Sequence, residues 1–142
     1  MTLPELLLWI ASLAPVHDGL NREIPRPPGF AHVIATVAIE HPEIDPRILA
    51  ATLDVVAAHE SAYRLHPHGW NDGGKSKGAW QTPAHETPDD PLGQARVAAK
   101  WLLYSMRTCP DHPLSLYATG HVCGPVRVAD YYWRQVQAEL GQ

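Results

Sequence analysis

Glu60 is the residue whose position folding alone explains least. Leu49, Leu53 and Val56 recur at the four- and three-residue steps of one helix face, and the next step on that stripe is Glu60. A carboxylate at a core-facing position near a helix end meets two effects that disfavour its charge. One is lost hydration; the other is the negative end of the helix dipole. Both raise its pKa, which is what a general acid working near neutral pH requires. Spacing also allows a plainer arrangement, in which Glu60 pairs with Arg64 one turn on as a surface ion pair.

Asp72, in Asn71-Asp72-Gly73-Gly74, could serve as a second carboxylate that activates water. The same residues are ordinary turn chemistry, in which an aspartate only bonds its own backbone. His59, His66, His68 and His85 raise the question of zinc, but the HExxH pattern fails because Tyr63 stands four residues after His59. No metal and no cofactor are expected. The histidines read as solvated loop residues, with His59 close enough in sequence to tune Glu60. Asp54, Asp89 and Asp90 read as helix-surface or cap residues without chemistry. Neither cysteine sits near a recognisable base, so nucleophilic catalysis finds no support.

These residues need helices to hold them, and the chain supplies the signals. Thr2-Leu3-Pro4-Glu5 forms a capping box that opens a helix to about Ala14. After the stiff loop Pro25-Arg26-Pro27-Pro28, a second helix is expected over Phe30 to Glu40, ended by His41-Pro42. Asp45-Pro46 caps the helix that carries Glu60, expected to reach Tyr63 or Arg64. A polar, glycine-rich stretch over residues 66–78 predicts a long loop or a small hairpin. Asp90-Pro91 starts a helix to about Thr108, Pro113 a short one near Leu114 to Ala118, and Gly124-Pro125 a last one to about Leu140. The expected class is mainly α, or α+β with a hairpin excursion after the central helix, in one domain spanning residues 1–142.

Three motifs in order carry a family resemblance. His59-Glu60-Ser61, then Gly78-Ala79-Trp80-Gln81, then Tyr117-Ala118-Thr119-Gly120 resemble the soluble lytic transglycosylase and goose-type lysozyme superfamily, over roughly residues 45–140. Gly69-Trp70-Asn71-Asp72-Gly73-Gly74 looks like the goose-type loop before the Gly-x-x-Gln motif. The resemblance implies a lysozyme-like fold with residues 1–44 packed on it as N-terminal helices. It implies Glu60 as catalytic acid, Asp72 as a candidate water-activating base, and Ser61 as a contact to the sugar or its peptide stem. Gly78, Gln81 and Tyr117 would line the substrate cleft, and Tyr132 would match a C-terminal tyrosine near the glutamate. Trp80 stands where the family has Met or Phe, and would either stack on a sugar or fill the core, with stacking slightly favoured. Ala118 and Thr119 replace the usual Asn and Ala of the third motif, which removes an amide from that wall.

The implied activity is cleavage of the MurNAc–GlcNAc β-1,4 bond of peptidoglycan glycan strands. A lytic transglycosylase with one catalytic glutamate is the leading expectation. A goose-type hydrolase using Glu60 and Asp72 is the alternative, and an inactive glycan-binding module a further one. Composition fits a globular monomer: the chain is 45% hydrophobic and 18% charged, with a formal net charge of −4 and nine histidines. That balance does not suggest a nucleic-acid partner. The run Leu6-Leu7-Leu8-Trp9-Ile10-Ala11 is too short to span a membrane and, with Glu5 ahead of it, makes a poor signal peptide. Action at the bacterial envelope by another export route, or from a phage or mobile element, is the expectation. Outside the cytoplasm Cys109 and Cys123 could pair and contribute roughly 2–3 kcal/mol; in a reducing cytoplasm they would stay thiols.

Overall fold

The computed structural model describes residues 1–65 and 73–141. It is mainly helical, with two small antiparallel hairpins. Among the described residues the order is α1 (Leu3–Ser12), β1 (Val16–His17), β2 (Glu23–Ile24), α2 (Phe30–Ile39), α3 (Pro46–Ser61), β3 (Ser76–Lys77), β4 (Thr82–Pro83), α4 (Pro91–Thr108), α5 (Ser115–Thr119) and α6 (Arg127–Leu140), with a 3₁₀ turn at Ala84–Glu86.

Local signals set most of the helix starts. Thr2 and Glu5 exchange both capping bonds, Asp45 accepts from the Arg47 amide, and Asp90 accepts from the Gly93 amide. Each satisfies amides that the first helical turn leaves without partners. The hairpin expected after the central helix is present, with Ser76 opposite Pro83 and Lys77 opposite Thr82. A second hairpin, pairing Val16 with Ile24 and His17 with Glu23, lies where sequence suggested only a loop.

Helix α3 is the axis of the fold. It is not striped, as its apolar spacing suggested, but buried all round from Leu49 to Ala58. A helix of that kind belongs at the centre of its domain. It is packed by α1, α2, α4 and α6. Ala50, Ala51, Ala57 and Ala58 leave room for those neighbours to approach. α6 offers it the face Ala129, Tyr132, Val136 and Glu139, at helical spacing.

Complete burial of α3 changes the reading of Asp54, expected at the surface. Its side chain is fully buried, and the Arg26 guanidinium grips both of its oxygens at 2.7 and 2.8 Å. The Tyr63 hydroxyl donates to it at 2.9 Å. The pair joins the loop before α2 to the middle of α3. Glu139 of α6 is buried beside it, with an Arg26 nitrogen 3.7 Å away. Burial, then the charge of Asp54, holds Glu139 well above the usual carboxylate range, so it is neutral near pH 7.

Candidate active site

Glu60 lies in the last turn of α3, and the helix stops one residue later, earlier than spacing predicted. Ala62 and Tyr63 take left-handed backbone angles, with φ 54° and 64°. Such angles are costly for residues other than glycine. Two contacts hold them. Tyr63 turns inward, where its ring is buried and its hydroxyl reaches Asp54. The Ser61 hydroxyl donates to the Ala79 carbonyl at 2.8 Å and accepts from the Arg64 amide at 3.0 Å.

That turn leaves the Glu60 carboxyl largely desolvated and without a charged partner among the described residues. Burial alone raises its pKa from 4.5 to about 7. The alternative ion pair with Arg64 does not form: the Arg64 guanidinium donates to the Ser61 carbonyl at 2.8 Å. His59 does not tune Glu60 either. Its ring stacks on Tyr132, centroids 5.0 Å apart, and its Nε2 lies 2.6 Å from the Gln135 amide oxygen.

Tyr117 and Tyr132 flank the carboxylate. Burial raises both phenols, and the nearby charge of Glu60 raises them further, so both are neutral hydroxyls at any working pH. Tyr117 comes from α5, which Ser105 positions. The buried Ser105 hydroxyl donates to the Pro113 carbonyl at 2.7 Å and accepts from the Tyr117 amide at 3.0 Å. The Tyr117 hydroxyl donates to the Trp80 carbonyl, fixing its ring against the segment between β3 and β4. A Cys109–Cys123 disulfide, with Cα atoms 5.3 Å apart, closes the loop that carries α5.

Several residues expected to touch a ligand are structural instead. Trp80 is 1% exposed, packs against Phe30 and donates its indole N–H to the Leu53 carbonyl at 2.8 Å. Of the two roles open to it, it fills the core, and its ring is out of reach of a sugar. Ser61 is buried, and its hydroxyl bonds tie α3 to the segment before β4. Gly78, at φ +84°, allows the Gln94 amide to pass close by; a Cβ there would stand 2.4 Å from Gln94 Oε1. Gln94 is buried, accepts from the Ala79 amide at 3.0 Å and donates to the Leu65 carbonyl at 2.6 Å. It clamps both ends of the polar excursion. Asp72, with Trp70, His66 and His68, lies outside the described residues. Among the described residues no group of three or more His, Cys, Asp or Glu is placed to hold a metal, and no helix is long and apolar enough to cross a membrane.

A cavity of about 220 Å³ is lined by Gln81, Pro83, Trp101, Tyr104, Leu116 and Tyr117 among others. Gln81 has a left-handed φ of 51°, and its amide donates to the Gly78 carbonyl at 2.9 Å, which turns it to this wall. Glu60 is not in the lining, and Tyr117 is. Sequence reasoning missed Trp101 and Tyr104. Their signal was two aromatics one turn apart on α4, beside Lys100 and Arg107, where a solvent face would carry none.

The arrangement supplies one desolvated acid, two neutral hydroxyls beside it, and an aromatic cavity adjoining. It can deliver a proton to a leaving oxygen and take one back. No protein-family model, curated protein or solved structure matches this chain, so its function is argued from its own residues.

Proposed function

We propose that this protein cleaves the MurNAc–GlcNAc bond of peptidoglycan glycan strands as a lytic transglycosylase, with Glu60 as its single catalytic carboxyl. The observation that carries the reading is the Glu60 carboxyl itself. It is desolvated, unpaired among the described residues, raised to about pKa 7, and flanked by Tyr117 and Tyr132. Unlike Glu139, which sits beside Asp54 and Arg26, Glu60 has no charged group acting on it among the described residues, and burial without a partner costs free energy. The ordered resemblance of the Glu60, Gly78–Gln81 and Tyr117 motifs to the lytic transglycosylases and goose-type lysozymes supplies the substrate class.

In this reading protonated Glu60 gives its proton to the glycosidic oxygen as that bond breaks. The 6-hydroxyl of the muramic acid then attacks its own anomeric carbon, and the Glu60 carboxylate takes up the hydroxyl proton. The product ends in a 1,6-anhydro ring and Glu60 returns protonated. Tyr132, as a neutral hydroxyl, can orient the reacting sugar without competing for the proton, and Tyr117, whose proton goes to the Trp80 carbonyl, can only accept from it. This route needs no second carboxylate, and among the described residues none acts on Glu60. The hydrolytic alternative would use Asp72 as base.

The test is mass spectrometry of fragments released from purified peptidoglycan, with Glu60→Gln alongside. Anhydro-muramic ends that vanish in the variant are the expected result. Ordinary reducing ends would make the protein a muramidase. Cleavage retained by Glu60→Gln would overturn the assignment, and no fragments from either protein would leave a glycan-binding module.

A further inference from the structure

We infer that Trp101 and Tyr104 form the stacking platform for a neighbouring sugar ring of the bound strand, so that the strand runs from Glu60 past Tyr117 into the cavity on α4. The inference rests on the glycan reading above. Three observations carry it. First, Tyr117 is common to both: the charge of Glu60 acts on its hydroxyl, and Tyr117 lines the cavity. A polymer held at Glu60 by one ring places its next ring nearby, and the cavity that Tyr117 lines is a recess for it.

Second, the cavity is built as a sugar site needs. The Trp101 and Tyr104 rings both line the recess and stand nearly perpendicular, at 84°, with centroids 6.3 Å apart; Lys100 Nζ lies 4.9 Å from the Trp101 ring centroid and the Arg107 guanidinium 6.0 Å from that of Tyr104. Trp101 is fixed by its indole N–H, which donates to Glu86 Oε2 at 2.8 Å. Tyr104 is 44% exposed, though it is an aromatic on a helix with a well-filled core face. A pyranose presents apolar C–H faces to such rings and hydroxyls at its edge; the Gln81 wall gives that edge a polar neighbour.

Third, the recess does not end at one ring. A wider groove of about 730 Å³ continues from it, sharing Trp101, Tyr104 and Gly120 and leading past Glu86, Lys100 and Arg107. Together they have the size of a ligand cleft rather than a packing gap. The platform also replaces the role that Trp80 cannot fill.

The test uses the Glu60→Gln protein, so that bound strand is not cut. Its affinity for a stem-free GlcNAc–MurNAc tetrasaccharide is measured by calorimetry, and again with Tyr104→Ala or Tyr104→Phe added. Because Tyr104 is exposed, neither change should disturb folding, which circular dichroism checks. Loss of the ring is expected to weaken binding roughly three- to tenfold, the range of one aromatic contact, while Tyr104→Phe keeps the ring and the affinity. Unchanged affinity in Tyr104→Ala overturns the platform, as does an equal loss in Tyr104→Phe. Binding of a free stem peptide that depends on Tyr104, without the sugar effect, assigns the recess to peptide and overturns it too. If the Glu60→Gln protein binds no tetrasaccharide, the glycan reading itself fails.

Discussion

Glu60→Gln should make the protein more stable, and increasingly so as the pH rises. The Glu60 carboxyl has a folded-state pKa near 7 against an ordinary 4.5, with burial the cause. The folded protein therefore holds this proton more tightly than the unfolded chain does, and stability falls as pH rises between those values. Below pH 4.5 both states carry the proton and there is no cost. Above about 7 the full cost is present. At about 1.4 kcal/mol per pH unit the gap comes to roughly 3 kcal/mol. Glu60 is partly exposed, so water screens some of it, and a gain of about 1–3 kcal/mol is the expectation. Glutamine has nearly the same shape and no charge, so the two proteins should be nearly equal near pH 4 and separate by pH 8. Urea unfolding of both proteins at the two pH values measures this. Glu139 also titrates abnormally, but it is present in both proteins and cancels in the difference. A difference of the same size at both pH values would show a packing effect. A glutamine variant less stable than the parent at pH 8 would refute the reasoning. The same ionisation predicts that kcat/KM for glycan cleavage falls above about pH 7, as Glu60 loses the proton it must donate.

Three further changes test the frame around the site. Asp54→Asn removes the charge that Arg26 grips and should cost up to about 3–5 kcal/mol, reduced by what Glu139, 3.7 Å from Arg26, recovers on ionising in its place; a loss under about 1 kcal/mol by denaturant titration would show the pair to be dispensable. Opening the Cys109–Cys123 bridge, by reductant or by paired serine substitutions, frees a short loop and should cost about 3 kcal/mol. It should lower the melting temperature by a matching amount, and an unchanged melting temperature would contradict it. Gly78→Ala places a Cβ against the Gln94 amide at a left-handed backbone position and should destabilise by about 1–3 kcal/mol. Urea titration reads that cost directly, and a neutral result would mean that the clamp yields easily.

Much of the helical frame and the central residue were legible in the sequence. The capping box of α1, the Asp45 and Asp90 caps and the bounds of α4 followed from bonds that span four residues or fewer. The unusual position of Glu60 followed from helical spacing, although the stripe that revealed it belongs to a helix buried on every side. The end of α3 was less legible. It depends on Tyr63 turning back to Asp54 and on Ser61 reaching Ala79, and the second of these contacts spans eighteen residues.

What the sequence by itself determined, then, is the helical class, the caps and the presence of a misplaced carboxylate, because short-range bonding and periodicity carry that information. Only the tertiary structure decided which groups are inside. Trp80 and Trp101 are both tryptophans near motif residues, yet Trp80 is sealed against Phe30 and Leu53 while Trp101 lines a cavity. Asp54 reads like a surface residue until α6 and the Arg26 loop cover it. Tyr132 comes near the end of α3 only because α6 packs on that helix, and Tyr117 feels the charge of Glu60 only because α4 and α6 hold α5 in place. Burial is a property of what other segments place around a side chain, and desolvation, the one cause of the raised Glu60 pKa, is set by that arrangement.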